Sequence, residues 1–276
     1  MFTLNCKGKL LVIESPVIMG ILNATPDSFY EGSRVLDING SLRTAEKMLK
    51  DGAMILDIGG QSTRPGSKAV GTAEELKRII PAITALNQHF PEAYISVDSY
   101  DAEVAAEAVH AGASIVNDVS GGSFDEHMIT TISRLQTPFI CMHVKGNHET
   151  MHKNPSYQNV TIEVLDYFIE KTNQLKVAGV KDVIIDPGFG FSKNKEHNFQ
   201  LLRELNSLSI LDKPVMIGLS RKSTIYKTLG ITAEEALNGS TVLHTMALLN
   251  GANILRVHDV KEAKEAVRLV EVYRES

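Results

Sequence analysis

The sequence predicts an α/β fold, a (β/α)8 TIM barrel in one domain spanning residues 1–276 with a short N-terminal hairpin, and three observations carry that reading. A short apolar run ending in a polar residue recurs eight times, the pattern of a strand buried on both faces that stops at a functional edge. Most of the intervening stretches are long enough for a helix and carry apolar residues at helical spacing. No Pro/Gly/Ser-rich linker or composition break divides the chain. An open doubly wound sheet is the alternative, but no Gly-x-Gly-x-x-Gly turn follows the first strand to favour it.

The elements follow in order. Residues 2–4 and 10–13 flank a Lys-Gly-Lys turn and read as a hairpin covering the barrel's N-terminal end. The first barrel strand, 17–22, ends at Asn23 and opens a polar loop, too long for a tight barrel connection. Strand two, 54–56, delivers Asp57 and a run of glycines and hydroxyls around Thr63, Arg64 and Pro65, whose N–H groups suit an anion. Strands three and four, 94–97 and 114–116, deliver Asp98 and Asn117-Asp118; strand five, 139–142, delivers His143. Helical spacing at Val104, Ala105, Ala108 and Val109, and at Val164, Leu165, Phe168 and Ile169, supports the intervening helices.

Strand six is the apolar run Val183-Ile184-Ile185, closed by Asp186 and followed at once by Pro187-Gly188-Phe189-Gly190-Phe191. Proline cannot continue a central strand, so Asp186 stands at the strand's C-terminal end. Strand seven, 215–219, runs through Gly218 and Ser220-Arg221-Lys222-Ser223 into a helix that the serines can cap. Strand eight, 254–257, brings Arg256 and His258, and a final helix over 260–274 closes the ring.

The formal charge of −5 and scattered lysines and arginines argue against a nucleic-acid partner. Two cysteines, Cys6 and Cys141, make no disulfide framework and fit a reducing cytoplasm. No apolar run approaches membrane-spanning length, so no membrane association is expected.

Within a barrel these strand ends converge on one face. Asp98, Asn117 and Asp186 then form a polar floor that suits a heterocycle presenting an N–H beside an amino group, as in the 2-amino-4-oxo edge of a pterin or guanine. Above it, Arg64, Arg256, His258, Lys222 and the start of the strand-seven helix suit a phosphate or diphosphate. Plainer readings stand beside these. Asp57 reads equally as a turn cap, His143 as a loop hydrogen-bonder, His89, His110 and His127 as surface or packing residues, and Lys145, Lys193 and Lys195 as solvated loop charges. No local spacing matches a zinc site, whereas Mg2+ held by phosphate oxygens and one protein oxygen leaves almost no signature.

From about residue 17 to residue 260 the chain resembles dihydropteroate synthase. The resemblance rests on Met19-Gly20-Ile21-Leu22-Asn23-Ala24-Thr25-Pro26-Asp27-Ser28-Phe29, on Asp57-Ile58-Gly59-Gly60 with Ser62-Thr63-Arg64-Pro65-Gly66, on Asp186-Pro187-Gly188-Phe189-Gly190-Phe191, on Gly218-Leu219-Ser220-Arg221-Lys222-Ser223 and on Arg256-Val257-His258. It implies the joining of 4-aminobenzoate to 6-hydroxymethyl-7,8-dihydropterin diphosphate, giving 7,8-dihydropteroate and pyrophosphate with Mg2+, in folate biosynthesis. By motif match Asp98, Asn117, Asp186 and Lys222 hold the pterin; Asn23, Thr63, Arg256 and His258 hold diphosphate, Asn23 through Mg2+; and Phe191, Pro65, Lys222 and Ser223 frame the aminobenzoate. Arg64 and Gly218 complete the expected substrate-binding set, and Asp98, Asp186, Lys222, Arg256 and His258 the catalytic one. A cytoplasmic homodimer is expected too. The chain departs from the family's common pattern at Tyr30-Glu31-Gly32-Ser33, at Gln61 and at His148. The loops 25–34 and 62–67 are expected to order over the diphosphate. The rival readings are a pterin-binding methyltransferase domain and a non-catalytic pterin-binding protein.

Overall fold

The structure, a computed structural model, describes residues 1–23, 38–61, 70–147, 150 and 155–276, with Asn23 described by its backbone alone. Strands β1 (Phe2–Cys6) and β2 (Lys9–Ile13) pair antiparallel around Lys7 and Gly8, both at positive φ. Leu4, Cys6, Leu11 and Ile13 lie on the buried face of this hairpin, while their neighbours are half-buried or exposed.

Eight parallel strands follow: β3 (Val17–Asn23), β4 (Ile55–Gly59), β5 (Tyr94–Asp98), β6 (Ile115–Asp118), β7 (Phe139–Met142), β8 (Val183–Asp186), β9 (Met216–Ile217) and β10 (Ile254–Val257). They pair in the order β8-β7-β6-β5-β4-β3-β10-β9. Ile185 bridges Val215, its N–H donating to the Pro214 carbonyl at 3.0 Å, and so joins β8 to the start of β9 and closes the ring. The predicted barrel and hairpin are both present. Strand seven is shorter than the sequence suggests, because from Gly218 the chain leaves the sheet and turns, Lys222 N–H donating to the Leu219 carbonyl at 3.2 Å.

The period of two along each strand sorts the side chains into two cores. Ile18, Leu56, Ile58, Ile95, Val97, Val116, Cys141, Ile185 and Leu255 point outward and meet the helices. Those helices are α1 (Ile38–Lys50), α2 (Thr72–His89), α3 (Ala102–Ala111), α4 (Met128–Leu135), α5 (Val160–Val177), α6 (Lys195–Arg203), α7 (Ser223–Leu229), α8 (Leu237–Leu249) and α9 (Val260–Glu275). Asp101, Asn159 and Asn194 cap α3, α5 and α6 by accepting from first-turn N–H groups, which fixes where these helices begin above the strand ends.

Inside the ring the strands contribute apolar residues near their starts: Val17 and Met19 from β3, then Ile55, Tyr94, Ile115, Ile140, Ile184, Met216 and Ile254. The hairpin's Leu4, Cys6, Leu11 and Ile13 pack on them as a plug. The N-terminal end is therefore sealed with hydrocarbon, and polar chemistry is left to the opposite mouth.

Candidate active site

Moving two residues along each strand keeps the same inward face. From the apolar layer that step reaches Asp57 on β4, Ser96 on β5, Asn117 on β6, Met142 on β7, Asp186 on β8, Gly218 after β9 and Arg256 on β10; a further step on β5 reaches Asp98. The barrel interior thus changes from hydrocarbon to carboxylates, amide and guanidinium within one layer.

Arg256 organises that layer. Its Nε donates to Asp57 Oδ2 and its second terminal nitrogen to Asp98 Oδ2, both at 2.6 Å, and Asn117 Nδ2 donates to the same Asp57 oxygen at 3.2 Å. Asp57 is fully buried. One guanidinium shared between two carboxylates leaves the layer short of positive charge. Burial pushes the Asp98 carboxyl up to about 7, Arg256 opposing the rise and Asp57, Asp118 and Asp186 adding to it.

Asp186 lies against a loop that folds back over the floor. Its Oδ1 accepts from Gly188 N–H at 2.8 Å, and burial raises its pKa against the opposing charge of Lys222. Gly188 sits at φ +71°, where a Cβ would stand 2.1 Å from the His143 carbonyl oxygen, so only glycine fits. Gly190, at φ +82°, is the third residue of a turn closed by Phe191 N–H on the Gly188 carbonyl at 3.1 Å. The turn carries Phe191 to a position where Lys222 Nζ lies 4.5 Å from the ring centroid, while the same ammonium donates to the Phe189 carbonyl. Burial lowers Lys222 to about 8, Asp186 resisting the fall. Gly218 lies beside Lys222: a Cβ there would stand 3.7 Å from Nζ, an ordinary contact.

The mouth therefore brings Asp98, Asn117, Asp186, Phe191, Gly218, Lys222 and Arg256 together. Ser223 opens α7 beside Lys222, and His258 stands at the exposed rim, its Nδ1 3.0 Å from Ser220 Oγ. Thr63, Arg64, Pro65, the side chain of Asn23, and the loops 25–34 and 62–67 lie outside the described residues, as does His148.

Four readings from sequence are corrected. Arg256 lies in the floor, ion-paired with Asp57 and Asp98, because its position on β10 has the parity of the inward layer. Asp57 belongs to that layer and is not a turn cap; the signal was its mid-strand place two residues after the inward Ile55. Lys193 is buried, not solvated, with its Nζ 2.9 Å from His143 Nδ1, so His143 too serves a side chain as well as a loop. The helix after β9 has only seven residues and no side-chain cap: Ser220 Oγ is engaged with His258, and Arg221 turns away to pair with Asp259 at 2.8 Å through two nitrogens. Among the described residues no group of three or more His, Cys, Asp or Glu side chains could hold a metal ion.

Comparison with known proteins decides the family. A family model described as "Pterin binding enzyme" matches residues 19–258. Dihydropteroate synthase of Escherichia coli (strain K12) is 41% identical over 267 residues, covering 96% of this chain and 94% of that one. The chain belongs to the dihydropteroate synthase family. Among solved structures, Xanthomonas albilineans dihydropteroate synthase with 4-aminobenzoic acid superposes with a TM-score of 0.92 at 36% identity, covering 99% of this chain and 98% of that one. The same organism's dihydropteroate synthase in complex with 7,8-dihydropteroate gives 0.89 at 34% identity, with 99% of each chain covered. As a member of that family the chain is a transferase of folate biosynthesis.

Proposed function

We propose that the mouth holds the pterin of 6-hydroxymethyl-7,8-dihydropterin diphosphate on Asp98, Asn117, Asp186 and Lys222, and 4-aminobenzoate against Phe191, Pro65, Lys222 and Ser223. The reaction joins the two, giving 7,8-dihydropteroate and pyrophosphate. The observation that carries the residue assignment is the pair of inward carboxylates, Asp98 and Asp186, below the Phe191–Lys222 wall. A carboxylate accepts two parallel N–H bonds, which is what the 2-amino-4-oxo edge of a pterin offers.

The C–O bond between the pterin methylene and the diphosphate breaks with its electron pair leaving on oxygen. The amine nitrogen's lone pair forms the new C–N bond, and a proton passes to solvent. Asp98 and Asp186 face the methylene's developing positive charge, in a site where fixed charges are not diluted by water. Thr63, Arg64 and His258 receive the diphosphate. A diphosphate above the floor also competes with Asp98 for the Arg256 guanidinium, so its arrival frees Asp98 for the pterin.

Asn23 is the residue that would hold Mg2+. β3 closes on Asn23 in register with Gly59, at the mouth, and an amide oxygen is a ligand that Mg2+ takes alongside phosphate oxygens. Bound there, Mg2+ would supply positive charge to the leaving diphosphate. The protein acts in the cytoplasm as a homodimer: both cysteines are free and buried, and α8 and α9 present adjacent apolar residues to the outside.

Pyrophosphate release measured with both substrates and Mg2+ tests the reading. Release that requires 4-aminobenzoate is expected. Methyl transfer to or from a pterin without such release would favour a methyltransferase domain, and pterin binding with no turnover a binding protein.

A further inference from the structure

The loop after β8 forms the aromatic wall of the mouth, and a single buried ammonium bonds it at two points. Lys193 Nζ lies 2.9 Å from His143 Nδ1, 3.1 Å from the Gly188 carbonyl oxygen and 3.2 Å from the Phe191 carbonyl oxygen. Lys193 is 8% exposed and His143 2%. An ammonium carries three protons, and three acceptors meet them, provided that His143 is neutral with its lone pair on Nδ1. The surroundings enforce that state: burial, with the charges of Lys193 and Lys145, drives the His143 pKa down to about 2. The ammonium itself is held down to about 7 by burial, with Asp186 opposing and Lys222 and Lys145 reinforcing the fall. None of the three acceptors belongs to a floor side chain.

Beyond the Phe189 side chain, which is buried in the core, hydrogen bonds hold this conformation of the turn. It holds two glycines at positive φ, residues with the widest backbone freedom, and its other bonds are Gly188 N–H to Asp186, Phe191 N–H to Gly188, Gly190 N–H to Asn198 Oδ1 at 2.8 Å and Lys222 Nζ to the Phe189 carbonyl. Removing the ammonium would leave two carbonyls and a ring nitrogen converging on an empty centre. The turn would then move to satisfy them. What moves with it is the Phe191 ring and the Phe189 carbonyl, the two groups that meet Lys222 Nζ. The floor, by contrast, stands on β4, β5, β6, β8 and β10, and Asp186 is the member of it that bonds the turn, through Gly188 N–H.

We propose that Lys193 is a positioning residue for the second substrate: its ammonium fixes the turn 188–191 so that Phe191 and Lys222 stand together as the wall against which 4-aminobenzoate packs. This rests on the assignment of Phe191 and Lys222 to that substrate. Lys193→Met keeps an unbranched apolar stem and removes the charge, and Lys193→Arg keeps charge and donors. For Lys193→Met the expected result is a KM for 4-aminobenzoate raised roughly tenfold or more, with kcat within about threefold and a distinctly smaller rise in the calorimetric Kd for the pterin diphosphate, which also meets Lys222 but rests mainly on the floor. Lys193→Arg should have a lower KM than Lys193→Met. An unchanged KM in folded Lys193→Met, a parallel loss of pterin affinity, or a KM in Lys193→Arg no better than in Lys193→Met would overturn the proposal. So would failure of both variants to fold by circular dichroism, which would make Lys193 a residue of the fold. Wild-type enzyme releasing no pyrophosphate from the two substrates would instead overturn the functional reading, so the two failures are distinguishable.

Discussion

Arg256 shows how much the floor depends on one cation. Arg256→Met would leave Asp57, fully buried, without its ion-pair partner, and removing one member of such a pair costs about 3–5 kcal/mol. Urea unfolding should show that loss, and adding Asp57→Asn should recover a measurable part of it. Asp186→Asn tests the ligand side of the same layer. An amide places a donor where the pterin edge also donates, so affinity should fall by about 1–3 kcal/mol, or roughly five- to 150-fold. Wild-type calorimetric affinity in the folded variant would remove Asp186 from the pterin's partners. A third residue acts through pH. Glu75, in the first turn of α2, is 1% exposed; its Oε1 has no hydrogen-bond partner, and burial raises its pKa from 4.5 to about 7, Ser99 opposing and Asp98 and Asp101 adding. The folded protein therefore keeps this proton between pH 4.5 and 7, where the unfolded chain has lost it. Its contribution is present below that window and is lost as pH rises through it, at most roughly 3 kcal/mol. Glu75→Gln should flatten the fall in stability across that range; a variant whose stability tracks wild type at every pH would show that Glu75 titrates normally.

Individual elements divide sharply in how legible they were. The runs ending at Asp98 and Asp186 could be placed from sequence because a fully buried parallel strand is apolar throughout and its first charge marks its end, whereas Asp57 and Arg256 fall inside their strands. The run 215–219 proved shorter, Met216–Ile217, since apolar content cannot say where a chain leaves the sheet for a turn. The hairpin was predicted as a cover, and its packing now yields a test. Leu11 is 1% exposed among residues drawn from the strands of the barrel, so Leu11→Ala should open a cavity costing about 2–5 kcal/mol. The mouth is at the other end, so KM values should stay within about twofold. A KM shift larger than the stability loss explains would mean that the plug communicates with the site.

Across the whole molecule, the proposed homodimer draws on the late helices. On α8, Leu243 and Leu248 are buried in the core, but Val242, Met246 and Leu249 are each about 45% exposed, and on α9 Leu269 and Tyr273 are 72% and 70% exposed. A contiguous apolar patch on adjoining helices would suit a second copy. Light scattering should give twice the chain mass at micromolar concentration, and Met246→Glu with Leu269→Glu should halve it. A monomeric wild type would end the homodimer reading.

By itself the sequence determined the order of the elements, the barrel they build, and which residues end most of its strands, because alternation and strand-ending charges are local properties of the chain. The family motifs were equally local. Only the tertiary structure decided which of those residues meet. Arg256 reaches Asp57 across 199 positions and Asp98 across 158, a pairing set by the register of strands around a closed ring, which no spacing along the chain encodes. The burial of Lys193 was hidden for a related reason. A lysine in a polar loop reads as solvated until the path of the loop is known, and here that path folds it beneath the turn whose carbonyls it holds.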